Sequence, residues 1–364
     1  MSLVAGAWIV VSLFADGWAH THLPDLESFF TPWHAALYSG LLANVIWLVW
    51  LSRPTRPRPR DASETSAMSP SARMRRGATV ATWHWSPPAG YGGGVLGAVI
   101  FGGGGAADMA WHSAWGVEVG LDALLSPPHL VLLVGALLLV TSPWRASSSN
   151  TPATHAAATV SLLLAVALMA FFLIYTSEFA SPALTSTYTR LPEASPGHAA
   201  GEASAILGLG RFLITTVLFV VPLLMLWRRP QVPTGSVSRI VIPLSGLSLA
   251  VSDDLGPALW GVLGASFGAL VADVTIALLR RHHVPHRPSV LAGVATLGVW
   301  SGHAAALTAA GLVRWPLALT SGVVALSGLV AVLLSYLASF PMLDDQRRAA
   351  WAGTSSGAPA DLPR

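Results

Sequence analysis

Asp16-Gly17-Trp18-Ala19-His20 ends one long apolar run, and Leu26-Glu27-Ser28-Phe29-Phe30-Thr31-Pro32-Trp33-His34 leads into the next. The same order returns downstream as Asp108-Met109-Ala110-Trp111-His112, then Leu121-Asp122-Ala123-Leu124-Leu125-Ser126-Pro127-Pro128-His129. The two nine-residue ends match class by class: Leu, acid, small, two bulky apolar residues, hydroxyl, Pro, any residue, His. A glycine stands six positions after each last histidine, at Gly40 and Gly135, and more apolar chain follows. An apolar run, a polar turn and a returning apolar run read as a helical hairpin. The matched stretches therefore read as the mouths of two membrane hairpins. Ionisable side chains are expensive at membrane depth, so a repeated set of them is a functional signal.

Composition sets the surroundings. Of 364 residues, 53% are hydrophobic and 10% charged, whereas soluble domains carry about 25% charged residues. Several apolar runs reach the ~20 residues that cross a bilayer as a helix. The expected fold class is all-α, a polytopic transmembrane helical bundle built from repeated parallel hairpins. About ten spans are expected, at 3–20, 34–51, 93–112, 129–142, 155–176, 204–227, 240–252, 257–279, 289–312 and 316–339. The organisation then reads as a first hairpin (1–51), a basic linker (52–92) and a second hairpin (93–142). A third, degraded hairpin (155–227), C-terminal hairpins (240–339) and a tail (340–364) follow.

The chain has no cysteine, which excludes disulfides, thiolate ligands and Cys nucleophiles. All 20 basic residues are arginine. The sequence holds no P-loop, no dinucleotide fingerprint and no Ser-His-Asp arrangement. Its arginines stand almost entirely outside the spans, so the basic balance does not imply nucleic acid. The lipid bilayer is the expected partner, together with further copies of the chain or other membrane subunits.

Arginine placement gives an expected topology. Segments 52–80, 143–154, 228–239, 280–288 and the tail hold 17 arginines, while the opposite-side segments hold only Arg190 and Arg314. Cytoplasmic loops are the ones enriched in Arg and Lys. Both termini are therefore expected inside, in a bacterial cytoplasmic membrane. The N-terminal helix lacks a basic n-region and is read as an uncleaved span. Both Asp/His stretches then face the extracytoplasmic side.

The spacing suits a metal ion. Asp16 and His20 are four apart, as are Asp108 and His112, which puts each pair on one helix face. His34 and His129 come after the turn, each behind a proline that fits a helix start. Two imidazoles and one carboxylate from neighbouring helices form a set known for iron and compatible with copper or zinc. The expected ligands are Asp16, His20, His34, Asp108, His112 and His129. Glu27 and Asp122 are candidates for the outer ring nitrogens. Glu178, His198 and His303 are candidates to face the same site, with Glu178 and His198 belonging to the degraded third copy. Trp18, Trp33, Trp111 and Trp115 are expected to wall the site, and His22, without a counterpart, to face water. His84, His155, His282, His283 and His286 are expected at the surface. Two readings compete with metal: Asp and His paired as structural hydrogen bonds, or a proton relay.

An Asp-x3-His followed by a second His in a membrane helix pair resembles the metal site in the C subunit of copper membrane monooxygenases. Here the His–His gaps are 13 and 16 intervening residues. The resemblance covers these short motifs only, and the duplication departs from that family's pattern. It implies copper and oxidative chemistry at the outer membrane face. The expected function is an integral membrane metalloprotein, an oxidoreductase or monooxygenase-like subunit. The alternatives are a metal or proton transporter, or a non-catalytic subunit of a larger complex. A transporter needs ionisable residues running inward, and Asp273 alone lies in the inner half of a span.

Overall fold

In the computed structural model, the described residues are 1–23, 30–53, 87–116, 118, 120–147, 151–186, 198–228, 234–282 and 288–339. They fold as helices: α1 (Ser2–His22), α2 (Pro32–Leu51), α3 (Gly92–Trp115), α4 (Leu121–Leu125), α5 (Pro127–Val140) and α6 (Ser142–Ala146). After these come α7 (Pro152–Phe172), α8 (His198–Trp227), α9 (Ser236–Ala250), α10 (Leu255–Arg281), α11 (Pro288–Ala309) and α12 (Leu317–Ser339). Nine helical stretches among the described residues are long and apolar enough to cross a membrane. The chain is an integral membrane protein of the all-α class. The fourth stretch runs Pro127–Ala146, through α5 and α6 together, longer than the 129–142 expected. The seventh expected span, 240–252, falls in α9, which is not among the nine: it has 15 residues, or about 22 Å of helix against a hydrocarbon core of ~30 Å.

The chain divides into two compact units, 1–175 with 246–253, and 176–245 with 254–364. The first holds both Asp/His stretches. Its packed interior includes Ile9, Val10, Phe14, Leu37, Phe101, Leu132 and Leu168. The second is centred on Phe212, Phe219 and Trp300, all fully buried, with the indole of Trp300 donating to Thr216 Oγ1 at 2.8 Å.

Helix starts follow local chemistry. Thr31 caps α2 by accepting from the His34 N–H, with Pro32 in the first turn. Thr151 and Thr154 form a reciprocal capping box ahead of α7. These hydroxyls satisfy amide donors that a helix start leaves without partners.

Two glycines let the hairpins close. A Cβ on Gly135 would lie 2.5 Å from the Phe101 backbone nitrogen, and one on Gly40 would lie 3.2 Å from the Ile9 nitrogen. Lipid tails are as apolar as Leu, so membrane helices associate by close packing of small residues. Each glycine marks where the returning helix presses on the outgoing one. That contact fixes the histidine six positions earlier opposite its aspartate.

Candidate metal centre

The last turns of α1 carry Asp16 and His20 on one face. The first turn of α2 brings His34 against them. Asp16 Oδ2 is 3.7 Å from His20 Nε2 and 3.7 Å from His34 Nε2. The two imidazoles meet edge to face, with centroids 6.1 Å apart. The outer nitrogen of His34, Nδ1, is 3.2 Å from the Thr31 hydroxyl.

The second hairpin repeats these relations. Asp108 Oδ1 lies 3.3 Å from His112 Nε2 and 3.6 Å from His129 Nε2. The two rings meet edge to face at 6.0 Å. Nδ1 of His129 is 2.6 Å from the Ser126 hydroxyl, and Nδ1 of His112 is 3.1 Å from the Gly116 carbonyl oxygen. Gly116 ends α3 with φ of 88°, a left-handed conformation that glycine adopts without penalty. The carbonyl thereby turns back toward the histidine ring.

These contacts are poor hydrogen bonds and good ligand spacings. At 3.6–3.7 Å, three of the four Asp–His distances exceed hydrogen-bond length. Among the described residues, Asp16 Oδ1 and both oxygens of Asp108 are buried without a hydrogen-bond partner. By contrast, ligands ~2.0–2.1 Å from a tetrahedral ion stand about 3.3–3.4 Å from one another. Within each group, one ligand atom per residue lies within 4.8 Å of the others. Two Asp/His groups could therefore hold a metal ion, one in each hairpin.

Proton accounting at His112 sharpens the point. A carbonyl only accepts, so the bond to Gly116 places a proton on Nδ1. In a neutral ring Nε2 then presents a lone pair toward a carboxylate oxygen at 3.3 Å. Two acceptors in contact need a cation between them, either a proton or a metal ion.

The six ligands fall into two threes. Both groups line one cavity of about 40 Å³, to which Asp16, His34, Tyr38, Asp108 and His129 contribute. That volume admits only a few water-sized molecules. Leu37, Phe101, Leu132 and Phe172 supply apolar walls. The second group is the more enclosed at its acid: the Asp108 side chain is 1% exposed and that of Asp16 11%.

The other expected site residues lie elsewhere. Glu27 falls outside the described residues. Asp122 is exposed in α4, and the outer ring nitrogens are met instead by Thr31, Ser126 and Gly116. Sequence reading missed these three, although the hydroxyl three residues before each last histidine was a shared feature of both copies. It also missed Tyr38, one helical turn beyond His34. His198 pairs with Glu202 at 3.7 Å in the second unit. Glu178 and His303 meet each other there. Trp18 packs edge to face on Trp33 at 6.3 Å, and Trp111 lies 4.4 Å from Trp115, which is exposed. His22 is exposed and stacks on Trp18. His155 corrects an expectation: it is buried, 8% exposed, in the first turn of α7. His282 is exposed, whereas His84, His283 and His286 lie outside the described residues.

No protein-family model matches the sequence, and no curated protein or solved structure matches it.

Proposed function

We propose that this integral membrane protein is a metalloprotein that binds a transition-metal ion at each Asp/His group. Asp16, His20 and His34 hold one ion, and Asp108, His112 and His129 hold the other. The observation that carries the reading is the convergence of Asp108, His112 and His129, one ligand atom from each lying within 4.8 Å of the others. The same carboxylate–imidazole convergence in the first hairpin supports it. Two imidazoles and one carboxylate leave coordination positions open on copper or iron. A bound ion of that kind supplies redox chemistry, so the reading is an oxidoreductase or a monooxygenase-like subunit, with copper favoured. The chain's own residues fix the ligands, hold the outer ring nitrogens and give the cavity largely apolar walls. The motif-level resemblance to the C subunit of copper membrane monooxygenases points the same way.

A transporter reading draws less support. Asp273, the inner-half acid, accepts from the Val237 and Ser238 N–H groups at 3.1 and 2.9 Å. It is occupied as the cap of α9.

Metal analysis of protein expressed in metal-replete medium and purified without chelators tests the proposal. Wild type should carry two ions per chain, one for each group. His112→Ala should lose one and keep its fold, and the exposed His282→Ala should lose none. Wild-type protein with no stoichiometric transition metal would overturn the reading.

A further inference from the structure

The second unit contains a buried acid–histidine couple unlike the metal groups. Glu178 stands in the turn after α7, and His303 in the middle of α11. Both side chains are 0% exposed, with Glu178 Oε1 3.2 Å from His303 Nε2. The couple is pinned on both sides. His303 Nδ1 is 3.0 Å from the Gly261 carbonyl oxygen on α10, and the Ala183 N–H donates to Glu178 Oε1 at 2.9 Å. The Glu178 N–H in turn donates to Thr215 Oγ1 at 3.0 Å. Phe212 and Trp300 stand edge-on to the imidazole, at 6.0 and 5.5 Å.

This geometry counts protons. The Gly261 carbonyl only accepts, so Nδ1 carries a hydrogen and a neutral ring presents a lone pair at Nε2. An ionised carboxylate would present a second acceptor to it. One proton between Oε1 and Nε2 resolves the conflict, and it has two placements. An imidazolium–carboxylate pair would leave charge on Glu178 Oε2, which is buried without a hydrogen-bond partner among the described residues. A carboxylic acid donating to Nε2 leaves a neutral oxygen there, and unpaired charge is much the costlier of the two to bury.

We propose that Glu178 and His303 form a one-proton site in the second unit, in which Glu178 is a carboxylic acid donating to His303 Nε2. Burial pushes the Glu178 carboxyl upward from the ordinary carboxylate range, against the opposing pull of His303, the Ala183 N–H and Arg211. The groups facing the couple are few. From α8, Arg211 adds its charge, while its guanidinium is held by the Ser181 carbonyl and hydroxyl at 3.2 and 3.0 Å. Thr215 on α8, Gly261 on α10 and Trp300 on α11 are uncharged. The couple can pass its proton from Oε1 to Nε2, breaking an O–H bond and forming an N–H bond, without movement of either residue. It is a proton donor and acceptor that requires no metal and stands apart from both Asp/His groups in sequence.

Infrared spectroscopy of the intact protein tests this. Wild type at neutral pH should show a protonated-carboxyl band that shifts when glutamate, but not aspartate, carries ¹³C. Glu178→Gln should abolish that band. Because His303 Nε2 and the Ala183 N–H both meet Oε1, an amide there keeps one of these two bonds and loses the other, so this variant should fold but melt below wild type. The gap to wild type should narrow as pH rises above the ordinary carboxylate range, since a raised carboxyl stabilises fully below its unfolded value and loses that contribution as pH rises. The absence of a glutamate-labelled band in wild type would overturn the proposal, even if the variant failed to fold. A band that survives in Glu178→Gln would overturn it equally.

Discussion

The hydroxyl of Ser126 lies 2.6 Å from Nδ1 of His129, and this contact turns Nε2 of that ring toward Asp108. Thr31 does the same for His34 at 3.2 Å. A hydroxyl three residues before a histidine at a helix start reaches the ring by local geometry alone. It fixes which nitrogen is left for a ligand.

Removing these hydroxyls should weaken metal binding without abolishing it. Partners of the outer ring nitrogen typically contribute about 10–100-fold in metal affinity. Ser126→Ala should lose affinity in that range at the second group, measured by chelator competition, and Ser126→Thr should retain it. Thr31→Ala should carry an additional stability loss of about 1 kcal/mol, the usual worth of a helix cap. Thr31 accepts from the His34 N–H, whereas Ser126 makes no side-chain cap bond. If both alanine variants bind metal as tightly as wild type, the hydroxyls have no part in the site.

The glycines behind the histidines should separate the two groups. Gly135→Leu forces a side chain into the Phe101 backbone, and Gly40→Leu forces one into Ile9. Overpacking of this kind costs about 1–3 kcal/mol and should push the returning helix off its partner. Each variant should lose one ion per chain in metal analysis, from its own hairpin only. Loss of both ions from either variant would show that the groups load as one unit.

Much of the candidate site was legible because its geometry is local. Asp16 with His20, and Asp108 with His112, share a face by spacing alone, and Pro32 and Pro127 mark where the next helix begins. Asp122, expected at an outer ring nitrogen, is exposed in α4, and Glu27 lies outside the described residues. The hydroxyl three residues before each last histidine, Thr31 or Ser126, meets the outer nitrogen instead. The couple of Glu178 and His303 was hidden for a different reason. Its members are 125 positions apart, and no helical period connects them. The start of α9 at Ser236 was hidden likewise, since its amides are satisfied by Asp273 from another helix. The burial of His155 has no signal in its neighbours.

The short helix α9 makes the membrane topology a sharp question. With 15 residues it is about 22 Å long, less than the ~30 Å hydrocarbon core. If α9 stopped short, residue 253 would stay on the cytoplasmic side, and α10 would deliver Arg280, Arg281 and Arg287 to the outside. That would oppose the arginine bias of every preceding loop. The chain should therefore cross at α9, with the bilayer thinning or the flanking residues Val251 and Ser252 completing the passage. The absence of native cysteine makes the measurement clean. Asp253→Cys, exposed between α9 and α10, should react with an impermeant thiol reagent added outside intact cells. Ser66→Cys should react only after permeabilisation. Protection of position 253 together with outside labelling at His282→Cys would show that α9 does not cross. The arginines after α10 would then stand outside despite their charge, and the two termini would lie on opposite faces of the membrane.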